Sequence, residues 1–229
     1  MEALAQSLAR HPWSWLAILA MGVYHGVNPA MGWLFAVSNG LQARRGQAVL
    51  AALSPIALGH LIAMAVALLP FALVAAYLDQ LAWIQALAGG VLVAFGAYKL
   101  VRQRHPRFLA RIKPSHLVLW SFLMATAHGA GLMLVPVVLG LCKSLPDAHG
   151  GHEALAVIAA SSTGLSLLAA ALHTIAMLAT GGAIAWVVYR YVGLRLLGRA
   201  WFNLDLLWAL LLIAVGLASL LLLAFDGSA

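Results

Sequence analysis

Residues 21–32 read MGVYHGVNPAMG, and residues 124–135 read MATAHGAGLMLV. The two stretches share methionine, histidine and glycine at a constant offset of 103 residues, so His25 answers to His128 and Gly26 to Gly129. Further along, GHLIAMA around His60 matches LHTIAML around His173 at an offset of 113, pairing Ile62, Ala63 and Met64 with Ile175, Ala176 and Met177. A looser third pair sets LAGGVLVAFGAYKL against LWALLLIAVGLASL, which aligns Gly96 with Gly216 and Gln85 with Asp205. Leucine and alanine match anywhere in an apolar chain, but histidine does not. The order of all three pairs is kept, which is the mark of an internal duplication.

Each matched stretch lies inside an apolar run. Of 229 residues, 64% are hydrophobic and 8% charged, a balance that requires a lipid-facing surface. About 20 apolar residues cross a hydrocarbon core, and runs at about 13–38, 50–77, 82–101, 116–141, 162–189 and 203–225 meet that length. The expected fold is therefore all-α, a polytopic membrane protein with six transmembrane helices in a single transmembrane domain over 1–229. Repeat one covers about 13–101 and repeat two about 116–225. Three crossings per repeat force the second copy to enter from the opposite face, so the repeats are inverted. Residues 1–12 read as a short amphipathic segment ahead of Pro12, and the run from Trp13 has no small-residue cleavage site, so it reads as a retained helix. Residues Glu153–Ala160 are expected to add a turn or a partial re-entrant helix before the fifth span.

Orientation follows from the basic residues. Arg44 and Arg45, then Lys99, Arg102, Arg104, Arg107, Arg111 and Lys113, then Arg190, Arg195 and Arg199 fall in three connections on one side, 11 of the 13 in the chain. The positive-inside rule makes that side cytoplasmic and places both termini outside, in a bacterial-type inner membrane. The net charge of +7 is explained by lipid head groups and insertion, so nucleic acid is not an expected partner. The partners expected are the lipid bilayer and a metal ion, with a homo-oligomer allowed. Cys142 is the only cysteine, which excludes an internal disulfide or a Cys-x-x-Cys pair.

The chemistry rests on the histidines. His25, His60, His128 and His173 fall in the apolar middle of four spans, where an ionisable side chain must point into the bundle and find a partner. Four neutral imidazoles converging near one depth form a nitrogen cage for a transition metal, Cu, Zn, Ni or Co. Met21 and Met124 precede their histidines by four residues and Met64 and Met177 follow theirs by four, one turn away on the same helical face. Thioethers select Cu(I), and a singly charged ion costs less to desolvate than a divalent one, which favours copper slightly. Asp205 is the nearest candidate counter-charge, and Asn28 a candidate ligand or water-holding group. Asn39 and Gln42 are candidates for the cytoplasmic mouth.

Helix breakers crowd the same positions: Gly26, Asn28, Pro29 and Gly32 after His25, Gly129, Gly131 and Pro136 after His128, and Ser54, Pro55 and Gly59 before His60. Interrupted backbone at membrane depth is tolerated where protein or a watery cavity covers it, which is how discontinuous helices build ion sites. His11, His105, His116, His149 and His152 are expected at ends or loops, with HGGHE at 149–153 a weak external metal collector.

This layout resembles the lysine-exporter superfamily of three-plus-three transporters, and its nickel and cobalt exporter branch in particular, through His25, Gly26, Asn28 and Pro29 with His128 and Gly129 as the second copy. The resemblance implies a metal exporter of that fold. The aspartates that accompany histidine in that branch, and its long histidine-rich loop, are absent here. Three functions fit the residues: a transition-metal transporter, a membrane redox protein or metalloenzyme with His-ligated haem or a fixed metal, and an exporter of an organic solute driven through a histidine proton relay.

Overall fold

A computed structural model describes residues 12–77, 81–101, 116–143, 151–192 and 204–226. Every element among the described residues is helical. They are α1 (Pro12–Val27), a 3-10 turn (Pro29–Met31), α2 (Trp33–Ala43), α3 (Gly46–Tyr77), α4 (Leu81–Val101), α5 (Leu117–His128), α6 (Ala130–Lys143), α7 (Gly151–Val187, continued by the π-helical Val188–Val192) and α8 (Leu204–Asp226). The amphipathic segment expected before Pro12 lies outside the described residues. Glu153–Ala160 does not form a separate element, because α7 runs through it unbroken.

Two helices are long and apolar enough to cross a membrane, Gly46–Phe71 within α3 and Ser162–Val192 through α7. Leu117–His128 and Ala130–Leu139, bent by 61° to one another, make a third if the pair is one span. Gln85–Val101 and Ala209–Phe225 are apolar but shorter. The run expected as one helix at 13–38 is divided instead, and local chemistry explains the division. Proline at 29 holds Asn28 extended (φ −70, ψ 118), and the Asn28 Oδ1 accepts the Ala30 N–H at 3.0 Å to cap the 3-10 turn. Gly32 then takes φ 111, a left-handed conformation open to glycine, before α2 resumes. In the second half, Gly129 (φ 71) ends α5 directly after His128, and its N–H donates to the Thr126 carbonyl at 3.0 Å. Pro55 leaves α3 intact: the Ala51 carbonyl that it cannot bond accepts the Ser54 hydroxyl at 3.3 Å.

The centre of the molecule is the crossing of α3 and α7. α1 packs along α7, α5 along α3, and α4 and α8 pack against each other, joined to the rest through α6 by a cluster of Leu92, Met133 and Leu212. Small residues set these approaches. A Cβ at Gly22 would meet the His173 carbonyl oxygen of α7 at 2.5 Å, and one at Gly59 would clash with the Val118 carbonyl oxygen of α5. In the outer pair, a Cβ at Gly96 would lie 2.9 Å from the Ala209 oxygen and one at Gly216 would lie 2.7 Å from the Gly89 oxygen. Large apolar side chains cover the exterior, among them Trp13, Leu16, Val66, Leu119, Ile175 and Leu222.

Candidate metal centre

Three histidines meet where α1, α3 and α7 cross. His25, on the last turn of α1, His60, in the middle of α3, and His173, in the middle of α7, are fully buried, and one ring nitrogen from each lies within 4.8 Å of the others. Gly22 and Gly59 make this possible, since only glycine lets α1 settle on the backbone of His173 and α5 settle beside His60.

The hydrogen bonds fix the protons. His173 Nδ1 faces the Ile18 carbonyl oxygen of α1 at 3.2 Å, and a carbonyl only accepts, so Nδ1 carries the proton and Nε2 keeps its lone pair. That Nε2 lies 2.8 Å from His25 Nδ1, which must therefore donate to it when both rings are neutral. A ring nitrogen oriented by a backbone carbonyl through its neighbour is how imidazole is presented to metals. His60 differs from both. Its ring centroid lies 5.6 Å from those of His25 and His173, and its two nitrogens are buried with no hydrogen-bond partner.

His128 stands apart from this triad. It ends α5 as His25 ends α1, it is 4% exposed, and its Nδ1 donates to the Met124 carbonyl at 2.9 Å, one turn back in its own helix, as the His25 ring bonds the Met21 backbone, but it is not one of the three whose ring nitrogens lie within 4.8 Å of one another. The structure thus brings together three of the four histidines singled out by the repeat. Met64 and Met177, one turn from His60 and His173, are buried, while Met21 and Met124 are half-buried. Asn28 caps the 3-10 turn, Asn39 is half-buried, and Gln42 is exposed and donates to Ser38 Oγ at 2.9 Å. His116 is exposed at the start of α5. The side chains of Asp205, Cys142 and His152, and all of His11, His105 and His149, lie outside the described residues. Among those that are described, no carboxylate or thiolate joins the three histidines.

Sequence reasoning missed what adjoins the triad. A narrow crevice is lined by Gly26, Met31, Trp33, Ile56, Met177 and Gly181 among others, of which Met31, Trp33, Ile56 and Met177 belong to a packed core cluster. Each of these follows His25 or His173, or precedes His60, and so lies on the side of the triad where Arg44, Arg45 and Arg190 emerge. Gly26 and Met177 were singled out in the sequence as a helix breaker and a candidate ligand, but nothing there placed them in one crevice.

No family model, no curated protein and no solved structure matches the chain.

Proposed function

We propose that this chain is a transition-metal transporter of the membrane, six spans in two inverted three-helix repeats, whose cargo passes through His25, His60 and His173. The observation that carries the reading is the pair of unpartnered His60 nitrogens, buried against two other imidazoles. A buried polar group without a partner costs about 1–3 kcal/mol, a cost that a ligand held in the native protein would offset. Three neutral imidazoles without a carboxylate suit Cu(I), Zn, Ni or Co. Cu(I) is favoured, because its single charge is cheapest to desolvate and the buried thioethers of Met64 and Met177 lie one turn away.

The inverted repeat draws support from the contacts of α4 with α8. An offset of 120 residues carries Gly96 onto Gly216 and Gly89 onto Ala209, so the approach of Gly96 to the Ala209 oxygen becomes that of Gly216 to the Gly89 oxygen. Two crossings that exchange with each other are what a two-fold axis between the repeats produces. The bilayer is then the partner of the apolar exterior, and the basic side is the cytoplasmic face by the positive-inside rule.

Metal–imidazole bonds are about 2.0–2.1 Å, so two nitrogens on one tetrahedral ion stand about 3.3 Å apart. At 2.8 Å, His25 and His173 are hydrogen-bonded and must part by roughly half an ångström to share an ion. The incoming ion and the His25 proton compete for the same lone pair. Haem fits less well, since a porphyrin would have to enter between two rings that bond each other directly.

Sealed vesicles carrying the purified protein test the reading. Cu(I) held under reductant, or Zn(II), should cross the membrane in wild type and not in His60→Leu. A Soret band from the purified protein, or equal flux in both preparations, would contradict it.

A further inference from the structure

Met31 stands six residues after His25, and on an unbroken helix it would point about 120° away from that ring. The break in the chain brings it back. Asn28 caps the 3-10 turn, Gly32 rests on Ile56 of α3, where a Cβ would come within 3.2 Å, and Trp33 Nε1 donates to the Val27 carbonyl at 3.3 Å. The turn so folded puts Met31, 4% exposed, on the narrow crevice that Met177 of α7, 3% exposed, also lines. Both walls of the crevice lead to the triad. Gly26 directly follows His25, and a Cβ there would meet the Met177 carbonyl oxygen at 2.5 Å. His173, Met177 and Gly181 follow one another at four-residue steps along one buried face of α7.

Methionine is the side chain best able to close a gap, being unbranched and rich in rotamers, and protein interiors leave few gaps. Beside these two methionines a space nevertheless remains, about the size of one water molecule, and its walls are mainly apolar. Water gains little there, because it needs several polar partners. Among the side chains that line the space, the two thioether sulfurs are the only atoms with a lone pair to offer. Thioether is a neutral, soft donor that selects Cu(I) over Zn, Ni or Co.

We propose that Met31 and Met177 form a two-sulfur station for a soft, singly charged ion, Cu(I), on the basic side of the triad, where the ion pauses on its way to or from His25, His60 and His173. This rests on the transporter reading above. It adds a selection for softness beside imidazoles that by themselves suit Zn and Ni as well. With two neutral donors against three, the station is the weaker of the two sites, so it is read in rates and not in the number of ions bound at equilibrium. The broken helix gains a purpose on this account, since only the turn after Asn28 sets Met31 across from Met177.

Two measurements test this. In the first, Cu(I) held under reductant and Zn(II) are each loaded into detergent-purified protein and drawn off by a chelator. Met31→Leu conserves volume. It should slow both loading and release of Cu(I), by about tenfold and by the same factor, because a lost station raises the barrier between unchanged ends. Zn(II) should load and leave as in wild type. Cu(I) rates equal to wild type, or Zn(II) slowed as much as Cu(I), would overturn the station. So would faster release with weaker affinity, which would make Met31 an ordinary ligand of the triad. The second does not use the triad and so still decides the matter if wild type binds no metal, a result that would sink the transport reading alone. In a Cys142→Ser, His60→Leu background, Met31→Cys and Met177→Cys are introduced singly and together, and Ag(I), a redox-stable soft ion, is titrated in. The pair should hold one Ag(I) per chain at least about tenfold more tightly than either thiol alone, since thiolates are the preferred ligands of such ions. A pair no tighter than its better single thiol would overturn the proposal, because the two side chains then do not meet on one ion. Each variant's elution and thermal unfolding serve as the folding control.

Discussion

His60 and His173 stand 113 residues apart in the chain and lie nearly parallel at its centre, with ring planes 8° apart and centroids 5.6 Å apart. The two rings are the pair matched at an offset of 113 residues in the sequence, and the two-fold axis of the proposed inverted repeat would pass between them. Their surroundings are unequal, since His173 is held by Ile18 and His25 while His60 is held by nothing among the described residues. That inequality leads directly to behaviour.

Replacing His60 should separate stability from function. His60→Leu keeps similar bulk and removes two buried nitrogens that have no partner, so metal-free protein should be as stable as wild type or more stable, by up to about 1–3 kcal/mol. Thermal unfolding in detergent without metal checks this. A large drop in melting temperature would mean that His60 is a structural bond in the apo protein.

Helix approach at the site is set by the missing Cβ of Gly22. Gly22→Val should push α1 off the His173 carbonyl, lengthen the His25–His173 contact and cost about 1–3 kcal/mol from overpacking. Unfolding measurements paired with metal affinity should show both falling together.

The outer pair offers an internal control. A Cβ at Gly216 would lie 2.7 Å from the Gly89 oxygen, while one at Gly90 would meet nothing within 4 Å. Gly216→Ala should therefore destabilise the contact of α4 with α8, and Gly90→Ala should be neutral or stabilising by up to about 1 kcal/mol from helix propensity. The melting temperature should fall in Gly216→Ala and stay level or rise in Gly90→Ala.

Ser121 ties α5 to α3 through a buried hydroxyl that donates to the Ile56 carbonyl at 2.7 Å. Ser121→Ala should cost about 1 kcal/mol. Because Ile56 lines the crevice, the loss should be accompanied by altered labelling of a thiol placed by Met177→Cys.

Much of this was legible in the residues because histidine and proline are rare and expensive in apolar sequence. His25, His60 and His173 were found by their place in the duplication, and the breaks after His25 and His128 by Asn28, Pro29, Gly32 and Gly129. What stayed hidden was asymmetry. A repeat in sequence describes two halves as alike, whereas α2 and α6 both pack chiefly on α3, so the separation of His128 from the triad could not be read from it. The close approaches at Gly22 and Gly59 were also out of reach, since glycine is common in membrane helices and only the facing backbone tells a contact from an accident. The span count fared differently again: hydropathy treats residues 13–38 as one apolar run, and hydrogen bonding around Pro29 divides it.

The most direct measurement is the amount of metal that purified protein binds at equilibrium, with Cu(I) under reductant and Zn(II) titrated separately into wild type and His60→Leu. The account predicts one ion per chain in wild type and none in the variant, with the variant still folded. No binding by wild type, or binding that survives the loss of His60, would contradict it.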